Sequence, residues 1–320
     1  MPYLLVPLVA LAALALVGSP TTWLTLTIAG IAMGMLIFVM ASGLTLVFGL
    51  MDVLNMGHGA FITLGTYVGT SVLLRLTGLT EADAFFANIV AVVAAIVVAM
   101  AVAAAVGWFF ERVVVRPVYG DHLKQILVTM GGLIVAEQLI IVLWGPSEFT
   151  IARPKSLQGS FSVGEFVVEK FRLFAALLGL AIFLGMQWAL NKTRLGLLIR
   201  AGVENREMVE SLGYRIRRLF VGVFAAGCAL AGLGGVMWGL YVETINIQIG
   251  MNLMILIFIV IIMGGLGSLN GCFIGALLVG LTANYVGFLA PKVALISNIL
   301  LMVIVLLWRA EGLLAVSRSK

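Results

Sequence analysis

Asp52-Val-Leu-Asn55-Met-Gly57-His58-Gly59 sets an acid, an amide and an imidazole side by side in an otherwise apolar region. A charge at a bilayer centre costs about 2.5–3.5 kcal/mol, so such a cluster faces a bundle interior, a cavity or an interface. One reading is a discontinuous helix beside a translocation path, with glycines freeing backbone groups to line it. The other is that Asp52 marks a loop while Asn55 and His58 satisfy helix ends. A second break, Gly264-Gly265-Leu-Gly-Ser-Leu-Asn270-Gly271, carries glycines followed by Gly275 and Gly280. Gly271 and Gly275 form a small-xxx-small pair that favours helix packing. Leu-Asn recurs in both breaks (Leu54-Asn55, Leu269-Asn270), a faint hint of an internal repeat. Glu137 and Gln138 lie inside an apolar run, where an acid either relays protons or hydrogen-bonds between helices.

The third polar region is Asn191–Phe220, with seven cations (Lys192, Arg194, Arg200, Arg206, Arg215, Arg217, Arg218) and three carboxylates (Glu204, Glu207, Glu210). The spacing predicts a short helix over Gly202–Gly213, stopped by the glycine. Val203, Met208 and Leu212 share one apolar stripe on it. A short amphipathic helix between spans suits docking of a cytosolic partner; a solvated loop whose cations set topology reads the same charges.

The elements that position these residues must lie in lipid. The chain has 320 residues, 62% hydrophobic and 10% charged, with mean hydropathy +1.19, which excludes a soluble globular domain. A hydrocarbon core of about 30 Å takes about 20 helical residues, and such runs repeat from end to end without the alternation of a membrane barrel. The expected fold is all-α, a single polytopic transmembrane bundle over 1–320 with eight to ten spans. They fall near 4–17, 22–48, 53–77, 84–110, 125–144, 171–190, 219–240, 251–270, 271–290 and 293–309, and those near 53 and 251–290 are broken or re-entrant. The N-terminus lacks a positive n-region and is expected to be a retained first span. Thirteen cations in 111–124, 191–218 and the C-terminal end, against six on the other side, put the first set in the cytosol. Gly145–Lys170 then faces outside, and Pro117 is expected to close the span from Phe85.

Several chemistries have no residues here. No lysine follows a glycine, so there is no nucleotide-binding P-loop. His58 and His122 are the only histidines, and G-x-S-x-G is missing. Cys228 and Cys272 lie far apart in apolar segments, suggesting neither disulfide nor metal site. The cations lie beside spans rather than on one basic face, so no nucleic acid is expected as a partner. Chemistry as such has no candidate residues, so no enzyme is expected and passage of a solute is the simpler use of this chain.

Five ordered blocks over about 34–314 resemble the integral-membrane permease subunits of branched-chain amino-acid ABC importers. GLTLVFGLMDVLNMGHGAFITLGTYV (Gly43–Val68) resembles that family's N-terminal signature, and ERVVVRPVYG (Glu111–Gly120) its Glu-Arg…Arg-Pro loop. VTMGGLIVAEQLIIVLWGP (Val128–Pro146) is similar to the following span, RLGLLIRAGVENREMVESLG (Arg194–Gly213) to the coupling segment, and GGLGSLNGCFIGALLVG (Gly264–Gly280) to the C-terminal glycine-rich signature. The resemblance implies a multi-pass subunit of a bacterial inner membrane, in contact with lipid, that carries branched-chain or related amino acids, amides or urea. It implies a second homologous permease, two cytosolic ATP-binding subunits that hold ATP and Mg, and a periplasmic solute-binding protein. No cofactor is expected on this chain itself. ATPase coupling would fall to Val203, Glu204, Asn205, Arg206, Glu207, Met208, Ser211, Leu212 and Gly213. Asn55, His58, Gly59, Gly264, Gly265 and Asn270 would be elements of the solute path. The chain departs from the family at Val209, where alanine is usual and a docking face is expected. It departs again at Leu256, at Ile247–Gln248 and at Arg309-Ala-Glu-Gly312. The rival reading is a self-sufficient ion-coupled transporter or channel built on Asp52, Glu137 and His58.

Overall fold

The computed structural model describes residues 2–164, 166–204 and 206–314, without the side chains of Val163, Leu195, Arg200, Val203, Glu204, Arg206, Glu207 and Leu295. Helices α1 (Leu5–Val17), α2 (Pro20–Met51), α3 (His58–Arg75), α4 (Thr77–Thr80), α5 (Phe85–Phe110) and α6 (His122–Trp144) form the first part. The second holds α7 (Lys170–Lys192), α8 (Arg194–Glu204), α9 (Arg206–Ser211), α10 (Ile216–Val242), α11 (Ile249–Gly264), α12 (Leu269–Leu289) and α13 (Ala294–Trp308). Among the described residues six helices are long and apolar enough to cross a membrane: α2, α5 with its extension to Val118, α6, α7, α10 and α12. The protein is an all-α polytopic bundle.

Local chemistry explains where the helices start and stop. Ser19, Asp121 and Ser268 cap α2, α6 and α12 by accepting from backbone N–H groups of Thr22, Lys124 and Gly271. Pro117 does not end the span from Phe85 by itself. The helix widens into a π-turn over Glu111–Val115 and tightens into a short turn over Arg116–Val118, and proline sits at the start of that last turn, where its missing N–H costs little.

Short strands of two and four residues were not foreseen. Outside the membrane β1 (Phe149–Thr150) pairs with β4 (Thr244–Ile245) just after α10, and β2 (Ser160–Val163) forms a hairpin with β3 (Phe166–Glu169). At the cytosolic end Leu313 and Leu314 donate their N–H groups to the carbonyls of Met263 and Gly264, satisfying the last turn of α11.

The packing has an internal two-fold pattern. α2 packs on α12 as α10 packs on α5, α3 on α5 as α11 on α12, and α3 on α6 as α11 on α13. Exchanging α2 with α10, α3 with α11, α5 with α12 and α6 with α13 maps each of these packings onto another. α2 and α10 touch at Gly43 and Gly227, where a Cβ on Gly43 would lie 2.4 Å from the Gly227 carbonyl oxygen. Only glycine permits that approach, the device membrane helices use in place of a hydrophobic driving force. Edge-on and stacked rings fill the remaining space, Phe38 with Phe183 and Phe273, and Phe61 with Phe110 and Phe224.

Candidate solute path and coupling surface

α2 stops at Asp52, a residue in the left-handed conformation (φ 54°) whose N–H reaches the Phe48 carbonyl. Residues 52–57 then form an irregular, largely buried segment ending in a turn at Met56-Gly57 before α3 begins at His58. The depth of that start follows from His58 itself. Its Nε2 lies 3.0 Å from the carbonyl oxygen of Met40, eleven residues back along α2 from Met51. At about 1.5 Å per residue this is about 16 Å above the cytosolic end, near the middle of the hydrocarbon.

α10 repeats the device from the other face. It stops at Glu243, the second non-glycine residue of left-handed backbone among the described residues (φ 60°), and 243–248 dips inward before α11 begins at Ile249. The two breaks are in register: Asp52, Asn55, His58 and Gly59 correspond to Glu243, Asn246, Ile249 and Gly250. Each asparagine accepts the first N–H of its helix through its main-chain oxygen, His58 N to Asn55 O (3.3 Å) and Ile249 N to Asn246 O (3.4 Å). The two helix starts meet. A Cβ on Gly250 would lie 2.0 Å from the Gly59 carbonyl oxygen, and the Gly250 N–H donates to Thr63 Oγ1 (3.1 Å).

Polar groups remain unpaired at this meeting. Asn55 is 1% exposed, and neither side-chain amide atom has a partner among the described residues. His58 Nδ1 and Asn246 Oδ1 are likewise buried without partners. Since Nε2 of His58 faces a carbonyl, the neutral ring donates there and leaves Nδ1 as an acceptor. The sequence reading named Asn55, His58 and Gly59 but missed Thr63, Asn246 and Gly250. Their signal is the pattern acid-x-x-Asn-x-x-x-Gly, present once at Asp52 and once at Glu243.

The structure does not gather Gly264, Gly265 and Asn270 with that trio. They lie at the cytosolic end, where Gly267 touches Gly49 near the foot of α2, and Asn270 accepts from Gln187 of α7. Gly271 and Gly275 pack on Gly264 and Val260 of the preceding helix, which is a structural role. The repeat hinted at by Leu54-Asn55 and Leu269-Asn270 is therefore misaligned; Asn246 is the true counterpart of Asn55. Glu137 lies on α6 with Oε1 unpartnered among the described residues, away from both breaks. Asp52 Oδ2 stands 3.6 Å from His122 Nε2 at the cytosolic surface.

The coupling segment differs from its expected form. Helix begins at Arg194 rather than Gly202, because the apolar residues of 194–204 turn one face to α2, and α9 follows over Arg206–Ser211. Gly213 has φ 86° and stops it as the spacing predicts. Asn205 lies outside the described residues, as do the side chains of Val203, Glu204, Arg206 and Glu207. Met208, Leu212 and Tyr214 are 56%, 68% and 51% exposed, and the Ser211 hydroxyl turns back to the Met208 carbonyl. Val209 is not on that docking face. It is 2% exposed and packs inward with Ile216 and Phe220, against Met51, Leu198 and Ala201. One side chain thus joins the exposed cytosolic helix to the feet of both α2 and α10, the two helices that carry the breaks.

The sequence model of the family described as branched-chain amino acid transport system / permease component matches residues 26–308. The chain is 27% identical over 296 residues to the high-affinity branched-chain amino acid transport system permease protein BraD of Pseudomonas aeruginosa, covering 89% of this chain and 93% of that one. It is 28% identical over 305 residues, with the same coverage, to the permease protein LivH of Escherichia coli K12. A probable permease protein LivM of Methanocaldococcus jannaschii is 23% identical over 272 residues, 76% of each chain. No solved structure matches the chain.

Proposed function

Because this chain belongs to the branched-chain amino acid transport permease family, and so is a transport subunit rather than the catalytic ATPase, we propose that it forms half of the solute path of an ATP-driven importer. Its solutes are branched-chain or related amino acids. The observation that carries this reading is the Val209 joint, which ties an exposed apolar cytosolic surface to the feet of the two broken helices. A motor docked on Met208, Leu212 and Tyr214 would pull on α2 and α10 together. The docking residues extend to Val203, Glu204, Asn205, Arg206, Glu207, Ser211 and Gly213, with ATP and Mg held by the motor.

The partners follow from the same reading. Permeases named LivH and LivM in one archaeon both resemble this chain, which supports pairing with a second, related permease. Two cytosolic ATPases and a periplasmic solute-binding protein complete the assembly, in a bacterial inner membrane. The test is uptake of L-leucine by liposomes carrying the purified assembly or this chain alone. Uptake is expected only with the assembly and ATP, and Leu212→Glu is expected to release the ATPase. Gradient-driven uptake by the chain alone would overturn the reading in favour of an ion-coupled transporter.

A further inference from the structure

We propose that α6 is the helix through which this chain meets the second permease, along the stripe Leu127, Gly131, Ile134, Gln138 and Val142. The proposal rests on the importer reading and names the surface on which that partner sits. α6 packs chiefly on α3 and on the turns that follow α5, which leaves most of its length bare. The five stripe residues recur at helical spacing on one side, and all are exposed. Bare leucine and valine suit lipid; a bare amide does not. Gln138 has no hydrogen-bond partner among the described residues, and its neighbour Glu137 keeps Oε1 buried without one. Gln138 stands six residues before Trp144, about 9 Å inside the outer end of α6, and sixteen residues, about 24 Å, from the inner end at His122. α6 runs outward, and helical side chains slant toward the N-terminus of their helix. The amide therefore leans toward the bilayer centre, away from the nearer headgroups, where it would go unsatisfied in hydrocarbon.

Gly131 adds the shape to go with that chemistry. A Cβ there would meet nothing within 4 Å, so a neighbouring helix can approach backbone to backbone one turn below Ile134. Small residues for close approach and an amide to bond across are what joins helices in lipid, where apolar contact alone drives nothing. α7 gives the contrast. It is as bare as α6, yet it turns Leu177, Leu180, Leu184 and Trp188 outward, and its amide Gln187 is taken by Asn270. That face suits lipid as it stands. The occupant of the α6 stripe follows from depth. The ATPases meet the cytosolic surface and the solute-binding protein the outer one, so among the expected partners only the second permease has helices at the level of Gln138. Its helix there must offer a hydrogen-bonding group to the amide. On its opposite side α6 carries Gln125 and Thr129, which take the N–H groups of Leu54 and Met56 at the inner break. One helix thus stands between the partner and that break.

The test uses the complete assembly in membrane vesicles, with the photo-crosslinking amino acid benzoylphenylalanine placed separately at Ile134, at Gln138 and, as control, at Leu184. ATP-driven uptake of L-leucine reports that each assembly is intact. Irradiation is expected to join this chain to the second permease from Ile134 and Gln138, and to lipid from Leu184. Gln138→Leu, which suits lipid, is expected to lower the amount of second permease that co-purifies after detergent extraction by about threefold, the worth of one hydrogen bond between membrane helices. Gly131→Leu, which fills the approach, is expected to lower it further. Lipid adducts alone at Ile134 and Gln138, in an assembly that imports leucine with ATP, overturn the surface and leave the importer standing. Adducts with a second copy of this chain overturn the choice of partner, and equal joining from Leu184 overturns the choice of helix. Absence of both a second permease and ATP-driven uptake overturns the importer reading, and this surface with it.

Discussion

The two breaks share a local conformation and differ in what holds them. At the outer break Glu243 is clasped by Arg153, whose Nε lies 2.9 Å from Oε1, while the same guanidinium reaches Glu169 and the carbonyls of Leu240 and Tyr241. The Arg153 side chain is 14% exposed and lies over the Phe171 ring. Backbone pairing adds to this, since Glu243 accepts from Ile151 and β4 pairs with β1. The inner break is held from α6. Its N–H groups at Leu54 and Met56 are taken by the side chains of Gln125 and Thr129, and Asp52 faces His122 across a half-exposed gap. A hinge held by a shielded, forked cation and a strand is stiff. A hinge held by single side-chain hydrogen bonds from α6 is soft. The soft one lies beside the Val209 joint, where force from the cytosol would arrive.

The largest effect is expected from Arg153→Ala, which takes the shared donor from Glu243 and two carbonyls and leaves Glu169 with Arg172. Losing a buried ion pair costs about 3–5 kcal/mol, and the partial exposure of Glu169 and Glu243 lowers this to about 2–3 kcal/mol. Thermal unfolding of the purified chain should fall accordingly, and Arg153→Lys should recover only part, lacking the fork. Thr129→Val strips the acceptor from the Met56 N–H and should cost about 1–2 kcal/mol, seen as faster hydrogen exchange over 54–57 with 243–248 unchanged. His122→Ala should cost less than about 1 kcal/mol. Equal losses from His122→Ala and Arg153→Ala would break the contrast between stiff and soft hinges. The smallest effect concerns acid. The Lys124 backbone N–H, with its ammonium, holds the Asp121 carboxyl below the usual carboxylate range, so its support of the first turn of α6 is complete above that range. It is lost only as pH falls through the lowered value. Hydrogen exchange at that turn should therefore speed up only in strong acid, and Asp121→Asn, which still caps, should remove the pH dependence.

Several spans were readable because apolar length acts locally, one segment at a time. Leu269–Leu289 and Lys170–Lys192 fall close to their expected ranges for that reason. The strands were not readable, since Phe149 finds Ile245 only after the helices between them have packed. Val209, expected on a docking face only from the family resemblance, packs with Ile216 and Phe220, a contact that arises when the segment folds onto α10. Asn55 stood out beside Asp52, Gly57 and His58, whereas Asn246, flanked by Ile245 and Ile247, fell between two expected spans and did not. Its role became visible only when Glu243 proved to share the backbone geometry of Asp52.

The contact of Leu313 and Leu314 with the last turn of α11 also orders events during synthesis. Chains are made from the N-terminus, so α11 and α12 are complete before these residues leave the ribosome. Until then the carbonyls of Met263 and Gly264 wait for their donors, at the end of the bundle nearest the translation machinery. The seal on the cytosolic mouth is therefore fitted last, and a nascent chain halted before it would present an inner end still open to a chaperone or protease.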